Sequence, residues 1–372
     1  MPVQTALTQR LGLTHPIIQA PMAGGATTVE LVAAVCEAGA LGFIGAAYST
    51  PRQIIEISRE LRARTARPFG INLFAPLAAA DAPRDPGPAL ACLAPFHAEL
   101  GLPPPTLPAA TDDPDTERLA TALESGASVF SFAFGLLPPS AIEAIKARGM
   151  YLIGTATTVD EATQLERAGV DAVVAQGSEA GAHRSTFSTE FDAAMVGTMA
   201  LVPQMVDAVT VPVIASGGIM DGRGLTAALA LGASAAQFGT AFLTCHEAGV
   251  PEVYKQAILA AREHETRITR AFSGRPARGL VNRFMTEVDR SDNPEAILPF
   301  PLQNALTRPL RNAAAKQGRA EYLSLWTGQG VRLARRQSAA DLIARLANEA
   351  ETAIHRLGAS DYSVFQSMWS IS

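Results

Sequence analysis

Residues 175–185 read AQGSEAGAHRS and set one imidazole, His183, beside Arg184 among small residues, just after the apolar run AVVAQ. Small residues let a backbone lie close to a bulky group, and an imidazole beside such a group moves protons near neutral pH. A histidine after a strand is more often a surface or capping residue, so only its neighbourhood can raise it to a catalyst.

A second stretch bears on what that group is. VPVIASGGIMDGRG and AAQFGTAFL place Ser216, Gly217 and Gly218, and then Gln237, Phe238, Gly239 and Thr240, after two successive apolar runs. Backbone without Cβ atoms at both loops lets N–H groups approach a ligand. In many barrels the loops after the seventh and eighth strands bind a phosphate together. Tight turns alone would explain one such loop more readily than both. Neither GxGxxG after a first strand nor GxxxxGK[ST] occurs, so Rossmann-type and P-loop chemistry lack support. Flavin mononucleotide suits the pattern better. In QAPMAGG (19–25) the thioether of Met22 and the open backbone beside it could lie against an isoalloxazine ring, although a lone methionine is more often core packing. Asn72 inside FGINLF and Gln176 at the end of AVVAQ must find hydrogen-bond partners if buried, and a flavin would provide them.

The elements that must position these residues repeat a simple unit. Apolar runs at 16–21, 41–46, 69–74, 129–134, 151–156, 172–177, 211–218 and 235–240 read as strands buried on both faces. Amphipathic stretches between them, such as 28–39, 140–149 and 160–169, end in glycine, as helix C-caps do. Eight strands closing near residue 240 predict an α/β (β/α)8 TIM barrel over 1–244, with an open doubly wound sheet as the alternative. Residues 245–336 read as a mostly helical cap over the active site, with EVYKQAILAAREHETRITRAF (252–272) helical throughout. Residues 337–372 read as a helix returning to the barrel, its buried stripe being Leu342, Leu346, Ala350, Ala353 and Leu357. The Pro/Ala-rich insertion 76–114 follows the third strand and is either a lid or substrate wall at the site or a surface excursion.

Composition bounds the partners. The 372 residues are 48% hydrophobic and 17% charged, enough for a large core and unlike a disordered chain. A net charge of −5 with no basic stripe argues against nucleic acid. Cys36, Cys92 and Cys245 show no metal-ligand spacing, so no metal site and a reducing compartment are expected. The N-terminus has no leader pattern and no run reaches the length of a membrane span, which leads to a cytoplasmic expectation. Whether the chain forms a homodimer is left open.

The motifs QAPMAGG, GINLF, AQGSEAGAHRS, PVIASGGI, QFGTAF, AFSGRPARGLVNRF (271–284), PLQNALTRPLR (301–311) and LWTGQGVR (325–332) together resemble the nitronate monooxygenases, formerly 2-nitropropane dioxygenases. The last three look like the class that needs no nicotinamide donor. The resemblance implies an FMN-dependent monooxygenase that oxidises nitronates with O2 to carbonyl compounds and nitrite by one-electron transfer. It makes His183 the catalytic base for neutral nitroalkanes, and it puts flavin contacts at Met22, Asn72, Gln176, Gly181, Gly217, Gly218, Gln237, Phe238, Gly239 and Thr240. A protonated His183 would instead hold a preformed nitronate by charge. Two positions depart from the family pattern: Ala182 stands where many members have glycine, and Ala133 where some have histidine. Arg275, Arg278 and Arg283 suit structural pairing better than anion binding, and core or interface packing is favoured for Tyr48 and Tyr254. The rivals are an NAD(P)H-dependent flavin reductase of quinones or enoyl thioesters on the same barrel, and a non-catalytic barrel that binds a phosphorylated metabolite.

Overall fold

The computed structural model describes residues 3–76, 85–108, 115–291 and 293–359. Barrel strands are β1 (Ile17–Gln19), β2 (Phe43–Gly45), β3 (Gly70–Phe74), β4 (Val129–Ala133), β5 (Tyr151–Ala156), β6 (Ala172–Gln176), β8 (Val213–Ser216) and β9 (Ala235–Phe238), one within each of the eight apolar runs. Three further strands stand outside the barrel: β7 (Ala182–His183), β10 (Thr266–Thr269) and β11 (Ala277–Leu280). The eight pair in parallel in the order β1-β9-β8-β6-β5-β4-β3-β2. A parallel bridge from Ile18 to Leu41 joins the two ends, so the sheet is a nearly closed barrel and not an open one. Glycines at the predicted helix ends, Gly39, Gly149 and Gly169, take φ of +81°, +68° and +99°.

Strand periodicity layers the barrel interior. At its lower end Ile18, Phe43, Val129, Ile153, Val174, Ile214 and Ala235 pack together with Leu7 of the helix Ala6–Leu11, which plugs that end. One or two strand repeats higher, the inward positions turn polar: Asn72, Thr155, Gln176, Ser216 and Gln237 line a cavity at the C-terminal mouth. Outward residues such as Ile71, Phe130, Val173 and Phe238 pack under the helix ring. The helix Ala339–Ala359 joins that ring, and a Cβ on Gly222 would lie 2.3 Å from the backbone nitrogen of Ala350. Leu342, Leu346 and Ala350 are buried as expected. Leu357 is exposed, because the helix runs on past its contact with Gly222 and Thr226.

A second apolar cluster forms the cap. The stretch 252–272 is helical only over Glu252–Ala260 and then becomes β10, where Thr266 and Ile268 alternate with arginine and no helical stripe continues. β10 pairs antiparallel with β11, and β11 pairs with β7, so the loop carrying His183 is the third strand of a cap sheet. The cap also holds a 16-residue helix, Leu302–Gln317. From the insertion, the helix Gly87–Glu99 packs Ala89, Leu93 and Phe96 into the cap cluster. Residues 77–84 and 109–114 of the insertion lie outside the described residues. No described helix is long and apolar enough to cross a membrane, and among the described residues no His, Cys, Asp or Glu cluster is placed to hold a metal ion.

Candidate active site

The cavity between barrel mouth and cap has a volume of about 460 Å³, within the range of ligand and cofactor pockets. His183 lines it, as do Met22, Asn72, Gln176, Gly181, Gly217, Gly218, Gln237, Gly239 and Thr240. Phe238 does not line it. Its neighbour Gln237 points inward, so strand alternation turns the Phe238 ring outward into the core beneath the helices.

His183 is held from the cap. Its Nε2 lies 2.9 Å from Ser273 Oγ, while Ser273 Oγ donates to the Arg275 carbonyl at 3.1 Å and accepts from the Arg275 amide at 3.3 Å. With the single Ser273 proton on that carbonyl, Nε2 is the protonated nitrogen and Nδ1 keeps its lone pair; with it turned to Nε2, the roles exchange. Nδ1 has no hydrogen-bond partner among the described residues. Rings of Phe134, Phe300 and Trp326 surround the imidazole at centroid distances of 5.7–5.8 Å. Burial, and then the positive charges of Arg275 and Arg311, push the His183 pKa down to about 3. This shift favours the neutral ring at neutral pH, which suits a base better than a charged grip on an anion.

The loop under His183 is built from backbone contacts. Gln176 donates to the His183 carbonyl at 3.0 Å and accepts from the Ser185 amide at 2.9 Å, so the partners that a buried Gln176 needed come from the protein. Asn72 likewise finds Ser131 Oγ at 2.8 Å. Arg184 donates to the carbonyls of Gln176, Thr157 and Ala194. Gly181 lies so close to the cap that a Cβ there would stand 2.5 Å from the Thr327 carbonyl carbon. Ala182 has φ +61°, a left-handed conformation that glycine adopts freely and alanine at a cost of about 1–2 kcal/mol. That gives the departure at Ala182 a physical meaning. Ala133 lines the cavity and brings no second imidazole.

At the opposite wall, Gly217 and Gly218 take φ of +121° and +71° after β8. Thr240 reaches the cavity wall too, but its Oγ1 accepts from the Gly328 amide at 2.9 Å, which ties β9 to the cap.

The three arginines of 271–284 are structural. Arg275 donates to the carbonyls of Arg184 and Thr186 and lies over the Phe134 ring, Arg278 donates to the Ser178 carbonyl, and Arg283 pairs with Glu99 and Glu287. Tyr254 donates to the Trp326 carbonyl at 2.8 Å. The residues that sequence reasoning missed lie in the cap. Ser273 sits inside AFSGRPARG, and Arg308 and Arg311 inside PLQNALTRPLR, motifs whose type was noticed without their reach into the cavity. The four-residue spacing of Asn304 and Arg308, with Arg311 one turn on, was the available signal for a single helix face.

Residues 5–349 match the family model described as nitronate monooxygenase. The chain is 42% identical to a probable nitronate monooxygenase of Staphylococcus haemolyticus over 348 residues, which is 93% of this chain and 97% of that protein. It is 41% identical to the corresponding Staphylococcus saprophyticus protein over 358 residues, 96% of this chain and 100% of that one. Among solved structures it superposes on a nitroalkane oxidase from Streptomyces ansochromogenes with a TM-score of 0.87 and 42% identity, covering 95% and 100% of the two chains. FabK from Thermotoga maritima follows at TM-score 0.76 and 30% identity, covering 96% and 99%. A match of this extent, over a barrel whose mouth holds the motifs that suggested it, places the chain in the nitronate monooxygenase family of oxidoreductases.

Proposed function

We propose that this protein binds FMN in the cavity and oxidises alkyl nitronates, and also neutral nitroalkanes, with O2 to carbonyl compounds and nitrite. The observation that carries the reading is His183, half-buried and braced by Ser273, in the same cavity as the glycine loops 216–218 and 237–240. Those loops suit the phosphate, because Gly217, Gly218 and Gly239 line the cavity with backbone whose N–H groups can face an anion. Met22, Asn72, Gln176, Gly181 and Gln237 suit the ring system. Gln237 has spare hydrogen-bonding capacity, since its Nε2 makes only a 3.5 Å contact to Ser216 Oγ. When bound, FMN supplies the electron acceptor that O2 regenerates.

The protein's own part is positioning and proton transfer. For a neutral nitroalkane, Nδ1 of His183 takes the α-proton while Nε2–H stays donated to Ser273. Transfer turns a neutral pair into an imidazolium and a nitronate side by side. Their mutual attraction in a poorly screened cavity offsets the burial that otherwise disfavours the charged ring. A preformed nitronate skips this step and needs only to be held against the aromatic wall.

An anaerobic absorption spectrum of the yellow protein, taken before and after ethyl nitronate is added, tests the reading. Rapid change of the flavin bands with the nitronate, and none with NADH, is the expected result. Bleaching by NADH with no response to nitronate would favour the NAD(P)H-dependent flavin reductase, and a colourless protein would favour the metabolite-binding barrel.

A further inference from the structure

One wall of the cavity makes no hydrogen bond to His183, although the charge of Arg311 is felt there. The helix Leu302–Gln317 turns Asn304, Arg308 and Arg311 to the cavity, on one face by helical spacing. Opposite them Tyr48, just after β2, also lines it. The Tyr48 hydroxyl is buried and has no hydrogen-bond partner, an arrangement that costs free energy unless a ligand satisfies it. Arg308 stands over the Tyr48 ring at 5.6 Å and is exposed at the rim. Arg311 is half-buried, and it spends Nη2 on Asn304 and Nε on Thr307 while Nη1 bonds nothing among the described residues. Neither arginine has a carboxylate within ion-pair distance among the described residues. Two cations without a paired carboxylate among the described residues and one unpartnered hydroxyl therefore line the same part of the cavity.

We propose that Tyr48, Arg308 and Arg311 form a subsite for a small planar oxyanion, separate from the His183 end of the cavity. A shelf of phenyl rings lies between the two ends. Tyr48 meets Phe74 at 5.6 Å, Phe74 meets Phe134 at 4.4 Å, and Phe134 meets His183 at 5.8 Å. Tyr48 and His183 are linked through Phe74 and then through Phe134 or Phe300. The shared chemistry is a carboxylate- or nitrate-like group taking guanidinium and phenol hydrogen bonds. It has two sources: a free inorganic anion, or a carboxylate at the far end of the substrate. Only the second rests on the nitronate reading.

Calorimetric titration of the protein as purified with sodium nitrate reads the subsite without turnover. Alongside it, KM is compared for two nitronates of equal length, one ending in methyl and one in carboxylate. The variants are Tyr48→Phe, which removes only the hydroxyl, Arg308→Gln at the exposed rim, and Arg311→Gln. Nitrate binding to the native chain, weakened about tenfold or more in Tyr48→Phe and Arg311→Gln and less in Arg308→Gln, is the expected result. If the variants also raise KM for the carboxylate-ended nitronate alone, the anion belongs to the substrate. If both nitronates are unaffected, it is a free ion. The same nitrate affinity in native chain and variants overturns the proposal, as does absence of both nitrate binding and any carboxylate preference. Unchanged circular dichroism in Tyr48→Phe and Arg308→Gln keeps a folding defect from imitating the effect. If the chain binds nitrate but does not oxidise nitronates, the function reading fails and the subsite stands.

Discussion

The barrel side and the cap side of the cavity are made differently. On the barrel side the wall is backbone and strand ends: glycines at 217 and 218 after β8, and one inward polar residue each from β3, β5, β6, β8 and β9. On the cap side the wall is side chains held by other side chains and by distant carbonyls. Ser273 reaches His183 across 90 residues of sequence, Thr307 donates to the Phe272 carbonyl, and Gln303 donates to the Ala271 carbonyl at 2.8 Å. In the proposed reading the barrel side holds the cofactor, while the cap side braces one imidazole. The two are joined at β7, where His183 pairs with Ala277.

Substitutions can pull those roles apart. The largest effect is expected for His183→Asn, which should lower kcat/KM for neutral nitroalkanes by at least about 100-fold while bound flavin and activity on preformed nitronates stay near native. Steady-state rates on nitroethane and ethyl nitronate measure the split, and equal loss on both substrates would break the division of labour. Gly181→Ala strikes the join itself, because its Cβ would stand 2.5 Å from the Thr327 carbonyl carbon and 2.6 Å from the Gly328 amide nitrogen. Overpacking against backbone should cost about 1–3 kcal/mol, read as a lower midpoint in thermal unfolding, together with reduced activity.

Ser273→Ala tests whether the cap orients the base. The expected loss is about tenfold in kcat on nitroalkanes, with little change in KM or flavin content, since Ser273 touches only the imidazole and its own turn. Smallest is Ala182→Gly, which relieves a φ of +61°. It should stabilise the fold by roughly 1 kcal/mol after the extra unfolded-state freedom of glycine is subtracted. A Tm that falls instead would mean that the alanine methyl packs usefully in the loop.

The same contrast explains what the sequence made legible. Strands of a closed barrel are buried on both faces, so each announces itself as an apolar run, and all eight could be placed within a few residues. Glycine loops at 216–218 and 237–240 were visible because a missing Cβ is a property of the residue itself. His183 was found through its motif. Its proton state was not, because that depends on Ser273 and Arg311, which only the folded cap brings near. β10 reads as helix from sequence because residues 262–265, just before it, prolong the helical pattern, while its strand partner β11 starts only at Ala277. Phe238 was taken with its neighbours, although alternation in β9 sends it the other way.

The central claim is that a half-buried, neutral imidazole is the base, and the pH dependence of nitroalkane oxidation tests it most directly. The His183 pKa, near 3, is lower than the ordinary 6.5, so the proton-free form is present above about pH 3 and is lost only as pH falls through that value. The account predicts that kcat/KM for nitroethane is flat between pH 5 and 7 by an order-of-magnitude reading of that shift. A rate that halves near pH 6.5 and falls tenfold with each further unit of acidification would contradict it.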